Sequence, residues 1–202
     1  MRFAPAAALK EIAQRMNVPV IAKETGAGVC REQALLLCSC GVSAIDVGGA
    51  GGSSMSAMEA ARSRSHGDER SLTIGLLYRD WGIPTPIAVV EAATAQLPLI
   101  STGGVRSGLD MARAITLGAT LVGMAFPFLK AASESYEHVC ELMETVITQL
   151  KVAMQLSGAA SINQLREVDV VVTGATREWL TLRGFEEDLK AMAQRRWRKS
   201  HQ

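Results

Sequence analysis

The sequence predicts an α/β fold in which parallel strands alternate with helices. Short apolar segments, each followed by a glycine-rich turn, carry this prediction: residues 18–23, 44–48, 97–102 and 119–125. A segment that is apolar throughout, such as VPVIAK at 18–23, is typical of a strand buried on both faces. No GxGxxG motif follows the first strand, so a dinucleotide-binding unit is not indicated.

The number of strands predicts half of a barrel. In a (β/α)₈ barrel the loops at the carboxyl ends of the strands build the active site, and the fold typically needs about 250 residues. The chain has 202 residues and four principal strands. We therefore predict a TIM-type (β/α)₈ barrel of which about four βα units plus C-terminal helices are present, with residues 1–202 forming a single domain.

Helices are predicted where apolar residues recur at helical spacing and a glycine or proline marks an end. They cover residues 31–41, 55–63, 83–96, 107–118 and 128–158, the last being long and amphipathic. Pro86 is expected in the first turn of its helix, and Gly41, Gly118 and Gly158 are expected to end theirs. Residues 63–83 are charged and irregular, and their start is the best candidate for an exposed mobile loop.

Composition narrows the class of function. The net charge of +1 points to neither a nucleic-acid nor a membrane partner. The four cysteines fit no zinc pattern and the three histidines are scattered, so we expect free thiols and no metal ligand. The N-terminal stretch has the pattern of an ordinary helix rather than a signal peptide, and a cytoplasmic location is expected.

Two local patterns indicate chemistry. In LISTGGVRSG, at 99–108, two adjacent glycines, Arg106 and a helix start near Ser107 follow a strand. Glycines expose backbone N–H groups, and a helix N-terminus and an arginine both favour phosphate, although a plain βα turn is the alternative. Lys23 closes an apolar strand, which is costly unless the lysine is functional or is paired, for example with Glu24.

Five longer motifs carry a family resemblance. They are VIAKETGAG, IDVGGAGGSS, DWGIPTP, STGGVRSGLDMARAITLGA and GMAFPFLKAA. Their order and separation resemble the C-terminal half of a type 2 isopentenyl diphosphate isomerase, from about residue 14 to about residue 184. The resemblance implies the second half of an FMN-dependent barrel that interconverts isopentenyl and dimethylallyl diphosphate. It also implies Mg²⁺ on the diphosphate and NADPH as the usual reductant.

The resemblance further implies a set of cofactor-binding residues. They are Lys23, Ser53, Gly104, Val105, Arg106, Ala125 and Phe126. The last five would hold the FMN phosphate, Lys23 would lie against the N1–C2 carbonyl edge of the flavin, and Ser53 would replace a threonine common in the family. No catalytic residue and no metal ligand is assigned, because the family's substrate-binding and Mg²⁺-binding stretch has no counterpart here. Gly48 also stands at a position where the family has a hydroxyl.

Three functions are compatible with this pattern. The first is isoprenoid diphosphate isomerisation, with the isolated chain incomplete or inactive. The second is a 2-hydroxy-acid oxidase, which needs a histidine base followed by an arginine, and the loop DVGGAGGSS has neither. The third is a non-catalytic flavin-binding half-barrel. Because half a barrel has open sheet edges, we expect a homo-oligomer or a complex with the missing N-terminal half-barrel.

Overall fold

The computed structural model describes residues 4–196 of the protein. The chain divides into two compact units, Met1–Val105 and Arg106–Gln202. The assignment of residues 1–202 to one domain stays a prediction.

The first unit alternates helices with short parallel strands. Its elements are α1 (Ala4–Arg15), β1 (Ile21–Lys23), α2 (Arg31–Ser39), β2 (Ala44–Asp46), α3 (Met55–His66), α4 (Glu69–Leu77), α5 (Thr85–Ala92), a 3₁₀ helix (Ala93–Ala95) and β3 (Leu99–Ser101). β2 pairs in parallel with both β1 and β3, with Lys23 opposite Asp46 and Asp46 opposite Ile100. The predicted parallel α/β class is confirmed.

The strands of this sheet differ in burial. Side chains alternate between faces along a strand, and the face that carries Ile45 and Leu99 is fully covered, with these residues 0% and 1% exposed. β1 is different, because Val18 just before it and Ile21 within it are more than half exposed. The prediction that segment 18–23 is buried on both faces is therefore wrong. Within the described residues, Ile21 is covered only by half.

α5 is the buried helix of the first unit. Almost all of its side chains are inaccessible, and Pro86 occupies its first turn as predicted. The buried carboxylate of Glu91 accepts the backbone N–H of Arg31 at the start of α2, at 2.9 Å. A carboxylate at a helix N-terminus compensates unpaired amides there, so Glu91 ties α5 to α2.

The predicted irregular segment at 63–83 is largely helical. Gly67 adopts a φ of +73° and ends α3, and the Asp68 carboxylate accepts the Ser71 N–H to begin α4. That hydrogen bond lowers the pKa of Asp68. Gly75 of α4 packs so closely on α3 that an added Cβ would lie 2.9 Å from the Ala60 side chain. Capping residues and close helix packing therefore replace the expected mobile loop.

The second unit is mainly helical. Its elements are α6 (Gly108–Leu117), β4 (Leu121–Val122), α7 (Phe126–Glu134), α8 (Tyr136–Leu156), α9 (Ile162–Arg166), α10 (Gly174–Leu182) and α11 (Glu186–Met192). Its core contains Ala112 and Ile115 of α6 together with Ala159 and Leu165. No helix within residues 4–196 combines the length and apolar character needed to cross a bilayer.

One predicted helix of the second unit is in fact two. Ser135 has an extended backbone, with φ −167° and ψ 170°, and its hydroxyl accepts the His138 N–H at 3.2 Å. It therefore separates α7 from α8, so the prediction of one continuous helix over 128–158 is wrong. The predicted glycine ends hold, since Gly118 and Gly158 have φ values of +121° and +68°.

Candidate functional site

A group of polar side chains meets at the carboxyl ends of β1, β2 and β3. Lys23 ends β1, and its ammonium donates to the Asp46 carboxylate at the end of β2, at 2.5 Å. Asp46 also accepts the Gly48 N–H at 3.2 Å and the Thr102 hydroxyl from the segment after β3. One buried carboxylate therefore connects the ends of three strands.

Glu24 does not pair with Lys23. Its carboxylate accepts three successive backbone N–H groups, those of Gly26, Ala27 and Gly28, at 2.5, 2.6 and 3.0 Å. The Gly28 N–H also donates to the Gly48 carbonyl at 3.1 Å. The alternative that paired Lys23 with Glu24 is wrong, because Glu24 shapes the loop after β1 instead.

The loops that follow β2 and β3 are held against each other. The Gly49 N–H donates to the Thr102 carbonyl at 2.9 Å, and the Thr85 hydroxyl donates to the Gly103 carbonyl at 2.6 Å. Thr85 is buried at the start of α5. This helix start therefore fixes both glycine-rich loops in one arrangement.

Gly104 lies at the contact between these loops. Its φ is +76°, and an added Cβ would lie 2.5 Å from the Gly51 carbonyl oxygen. Gly52 approaches Gly104 in the same way, since a Cβ there would lie 2.7 Å from the Gly104 nitrogen. The next residue, Val105, is buried. These glycines are required by backbone packing whether or not a ligand binds.

Ser53 lies beside a cavity of the first unit. The cavity has a volume of about 480 Å³ and is lined by Ser53, Ala57, Arg64 and Trp81, among others. The Trp81 side chain is 75% exposed and meets Tyr78 edge to face, with ring centroids 6.0 Å apart. The cavity gives the loop after β2 an accessible side.

In the second unit, the start of α6 is closed by its own side chains. The Ser107 hydroxyl accepts the Asp110 N–H at 3.1 Å, and the Asp110 carboxylate accepts the Arg106 N–H at 3.2 Å. Gln149 of α8 accepts the Gly108 N–H at 2.8 Å. The helix begins near Ser107 as predicted, but these three amides are already bound.

The start of α7 is open by comparison. Ala125 stands at its N-cap position, no side chain caps the helix, and Pro127 lies in the first turn without an N–H. Phe126 is 69% exposed. A helix start without a capping side chain is compatible with an anion, and the phosphate role of Ala125 and Phe126 stays a prediction.

The structure distributes the predicted cofactor residues over both units. The first unit holds Lys23, Ser53, Gly104 and Val105, and the second holds Arg106, Ala125 and Phe126. Within the first unit, Lys23 and the loops of Ser53 and Gly104 share the carboxyl edge of the sheet. Their roles toward a flavin stay predictions.

Sequence reasoning missed three residues that organise this edge. They are Asp46, Thr85 and Thr102, and no sequence motif predicts their contacts. Their signal is weak, because a single threonine or aspartate after a strand is common in turns. Only the pairing of strands distant in sequence brings Asp46 and Thr102 together.

Comparison with known proteins places the chain in a family. The sequence model described as FMN-dependent dehydrogenase matches residues 3–172. A protein named isopentenyl-diphosphate delta-isomerase from Methanothermobacter thermautotrophicus is 48% identical over 179 residues, covering 88% of this chain and 50% of the relative. One of the same name from Methanosarcina barkeri is 47% identical over 177 residues, with coverages of 88% and 48%. The chain thus spans about half the length of these relatives, which fits the predicted half of the family chain.

Solved structures show the same fold. The chain resembles a (putative) lactate oxidase from Pediococcus acidilactici with a TM-score of 0.60 and 24% identity, over 81% of this chain and 39% of that one. A mandelate oxidase structure gives a TM-score of 0.59 at 22% identity, over 81% and 45%. At this identity the likeness concerns the fold alone, and it agrees with part of a (β/α)₈ barrel. The match over residues 3–172 shows that the chain belongs to the FMN-dependent dehydrogenase family.

Proposed function

We propose that the chain is part of an FMN-dependent isopentenyl-diphosphate delta-isomerase and supplies much of its flavin-binding edge. The observation that carries the proposal is the 48% identity over 179 residues with a relative named for that activity. A 2-hydroxy-acid oxidase is not favoured, because the loop after β2 contains neither histidine nor arginine. The substrates are then isopentenyl and dimethylallyl diphosphate.

The described residues fit FMN. Lys23 presents an ammonium at the ends of the strands, where it would meet the carbonyl edge of the ring. The Ser53 hydroxyl lies on the loop after β2, which lines the cavity. Uncapped amides at the start of α7 suit a phosphate. When bound, reduced FMN would supply the proton transfer at the alkene. Lys23 would favour negative charge on the ring, and the phosphate role of Arg106 stays a prediction.

The described residues do not fit a magnesium site. Within residues 4–196, no three His, Cys, Asp or Glu side chains come close enough together to hold a metal ion. Mg²⁺ and NADPH are therefore implied only by the family resemblance, and no step of the reaction is assigned to them here. We infer that the diphosphate is held by protein that completes the site.

The open side of β1 supports such a complement. Val18 and Ile21 are 58% and 51% exposed, and burying apolar surface of this kind favours association. We propose that the partner is the other half of the barrel rather than a second copy. A cytoplasmic location is part of the same proposal and agrees with the free state of all four cysteines.

A chimera tests the proposed function. The chain is joined to the half of the Methanothermobacter thermautotrophicus relative that it does not match, and isomerisation is assayed with reduced FMN and Mg²⁺. We expect turnover by the chimera and none at an enzyme-like rate by the 202-residue chain. A folded, flavin-loaded chimera that leaves isopentenyl diphosphate unchanged would contradict the proposal. Oxidation of 2-hydroxy acids would then favour the oxidase, and flavin binding alone would favour a non-catalytic module.

A further inference from the structure

Asp46 is a buried charged group to which neither the family match nor the relatives' names give a role. The residue is 5% exposed. Its two carboxylate oxygens accept from three donors: the Lys23 ammonium, the Gly48 N–H and the Thr102 hydroxyl. A carboxylate satisfied by several donors is held in one orientation. The donors come from three different segments, so this orientation is set by the sheet itself.

The partners in the Lys23–Asp46 pair differ sharply in exposure. The side chain of Lys23 is 58% exposed, whereas that of Asp46 is 7% exposed. A pair of this kind contributes little to stability, because solvent screens the lysine while the buried carboxylate has lost its hydration. The ion pair with Lys23 therefore adds little stability of its own. Its clear geometric effect is to fix one end of an otherwise flexible four-carbon side chain.

The fixed ammonium still has hydrogen-bonding capacity. A lysine ammonium carries three N–H donors, and the described part of the chain occupies one of them, through Asp46. The remaining donors face away from the carboxylate on an exposed side chain. An electron-rich acceptor that arrives at the strand ends would find them already oriented.

We propose that Asp46 is a positioning residue that, with Thr102, holds the Lys23 ammonium in place for the carbonyl edge of the flavin. The inference rests on the proposed function for the identity of the ligand, but the positioning itself is a property of the free protein. Thr102 acts through Asp46, because its hydroxyl donates to the oxygen that does not meet Lys23. Its replacement by valine should therefore loosen Lys23 less than a change at Asp46.

The first experiment needs no flavin. Selective ¹⁵N labelling of lysine side chains reports the ammonium group by NMR, and the Lys23 signal is identified by its loss in Lys23→Met. Asp46→Asn keeps the shape of the side chain but removes its charge. We expect exchange of the Lys23 ammonium protons with water to become about tenfold faster in Asp46→Asn, the scale of one charged hydrogen bond, and to rise less in Thr102→Val.

A matched control lies elsewhere in the chain. Lys190 donates to Glu187 at 2.7 Å, and both side chains are mostly exposed. Glu187→Gln should leave the Lys23 signal unchanged. Unchanged exchange at Lys23 in a folded Asp46→Asn variant would overturn the positioning role. If that variant does not fold, unchanged exchange in Thr102→Val would overturn it.

The second experiment separates positioning from a structural role. Riboflavin affinity is measured for Lys23→Met, Asp46→Asn and the double variant, in the chain or in the chimera. We expect each single change to weaken binding about tenfold and the double change to be no weaker than Lys23→Met, because coupled residues are not additive. If the double variant instead loses riboflavin affinity by the product of the two single losses, the inference is overturned. If no variant or parent binds flavin while Asp46→Asn still frees Lys23, the proposed function fails and the positioning contact stands.

Discussion

The glycine-rich loops of the first unit and the helix starts of the second differ in what they leave unpaired. In the first unit, Gly104 has almost no room, since a Cβ would lie 2.5 Å from the Gly51 carbonyl oxygen. In the second, α6 is capped by Ser107, whereas the N-cap residue of α7, Ala125, has no side chain that could cap the helix. The comparison teaches that adjacent glycines after a strand mark close backbone packing, whereas an uncapped helix start marks available N–H donors.

This difference bears on whether the GGVRSG motif is a phosphate site or a plain βα turn. The glycines are explained by contact between loops, and the amides at the start of α6 by Ser107, Asp110 and Gln149. The phosphate role of the Arg106 side chain stays a prediction. The start of α7, which lies in the motif GMAFPFLKAA, has no capping side chain and is the stronger candidate for a phosphate.

The largest expected effect is on the packed glycine. Gly104→Ala should lower the free energy of unfolding by about 3–4 kcal/mol, since a side chain at positive φ is strained and here also meets backbone. Gly184→Ala is the control, because Gly184 has a φ of +82° with nothing within 4 Å. It should cost about 1–2 kcal/mol. Urea unfolding measures both free energies. Equal losses of stability in the two variants would show that the contact between the loops adds nothing to the cost of a side chain at Gly104.

The open helix start is tested by adding a charge. Ala125→Asp should weaken FMN by about 3 kcal/mol, because a carboxylate near the phosphate repels it in a partly desolvated site. Ala125→Asn adds a similar volume without the charge and should have a much smaller effect. Riboflavin lacks the phosphate and should bind both variants like the parent. Equal weakening of FMN by Asp and Asn would point to steric exclusion instead.

Arg106 should have a somewhat smaller effect. Arg106→Ala is expected to weaken FMN by roughly 1.5–3 kcal/mol, the scale of a charged hydrogen bond, and to leave riboflavin unaffected. The control is Arg113→Ala, which removes an exposed arginine of α6 that pairs with Asp110. Equal losses for FMN and riboflavin in Arg106→Ala would reduce the motif to a plain turn.

The closed helix start should matter for folding and not for binding. Ser107→Ala removes the α6 cap and should cost about 1 kcal/mol of stability, as for other N-cap residues. FMN affinity, measured by titration of the flavin absorbance, should change less than twofold, on the view that Ser107 is not a phosphate ligand. A loss of FMN affinity matching that of Arg106→Ala would show that the α6 amides do meet the phosphate.

Features set by local backbone chemistry were predictable. The strand positions, Pro86 in the first turn of α5 and the glycine at the end of α6 all follow from constraints within a few residues. Ser135 was not, because the apolar pattern runs without interruption across it and only its extended backbone breaks the helix. Gly67 and Asp68 are residue types typical of helix caps, but the many charged residues around them favour the prediction of an irregular segment.

The organisation of the site was less accessible. A lysine at the end of an apolar strand is recognisable as unusual from the sequence, but the only partner that the sequence suggests, as an alternative, is the adjacent Glu24. The true partner, Asp46, lies 23 residues away and is reached only through the register of two parallel strands. Thr102 is farther still, at 56 residues from Asp46. Contacts of this kind depend on topology, which residue types and spacing do not specify.

The Glu24 carboxylate fills a group of backbone N–H donors in the loop after β1. Three successive N–H groups converge on its carboxylate, an arrangement that elsewhere receives anions from solution. The loop thus forms an anion-binding arrangement of N–H groups, and the Glu24 carboxylate occupies it. Shortening that one side chain would release this arrangement to a free anion while Gly28 and Ile83 still hold the loop through the Gly48 and Ala27 carbonyls. The consequence of Glu24 is therefore that the chain supplies its own anion to the loop after β1.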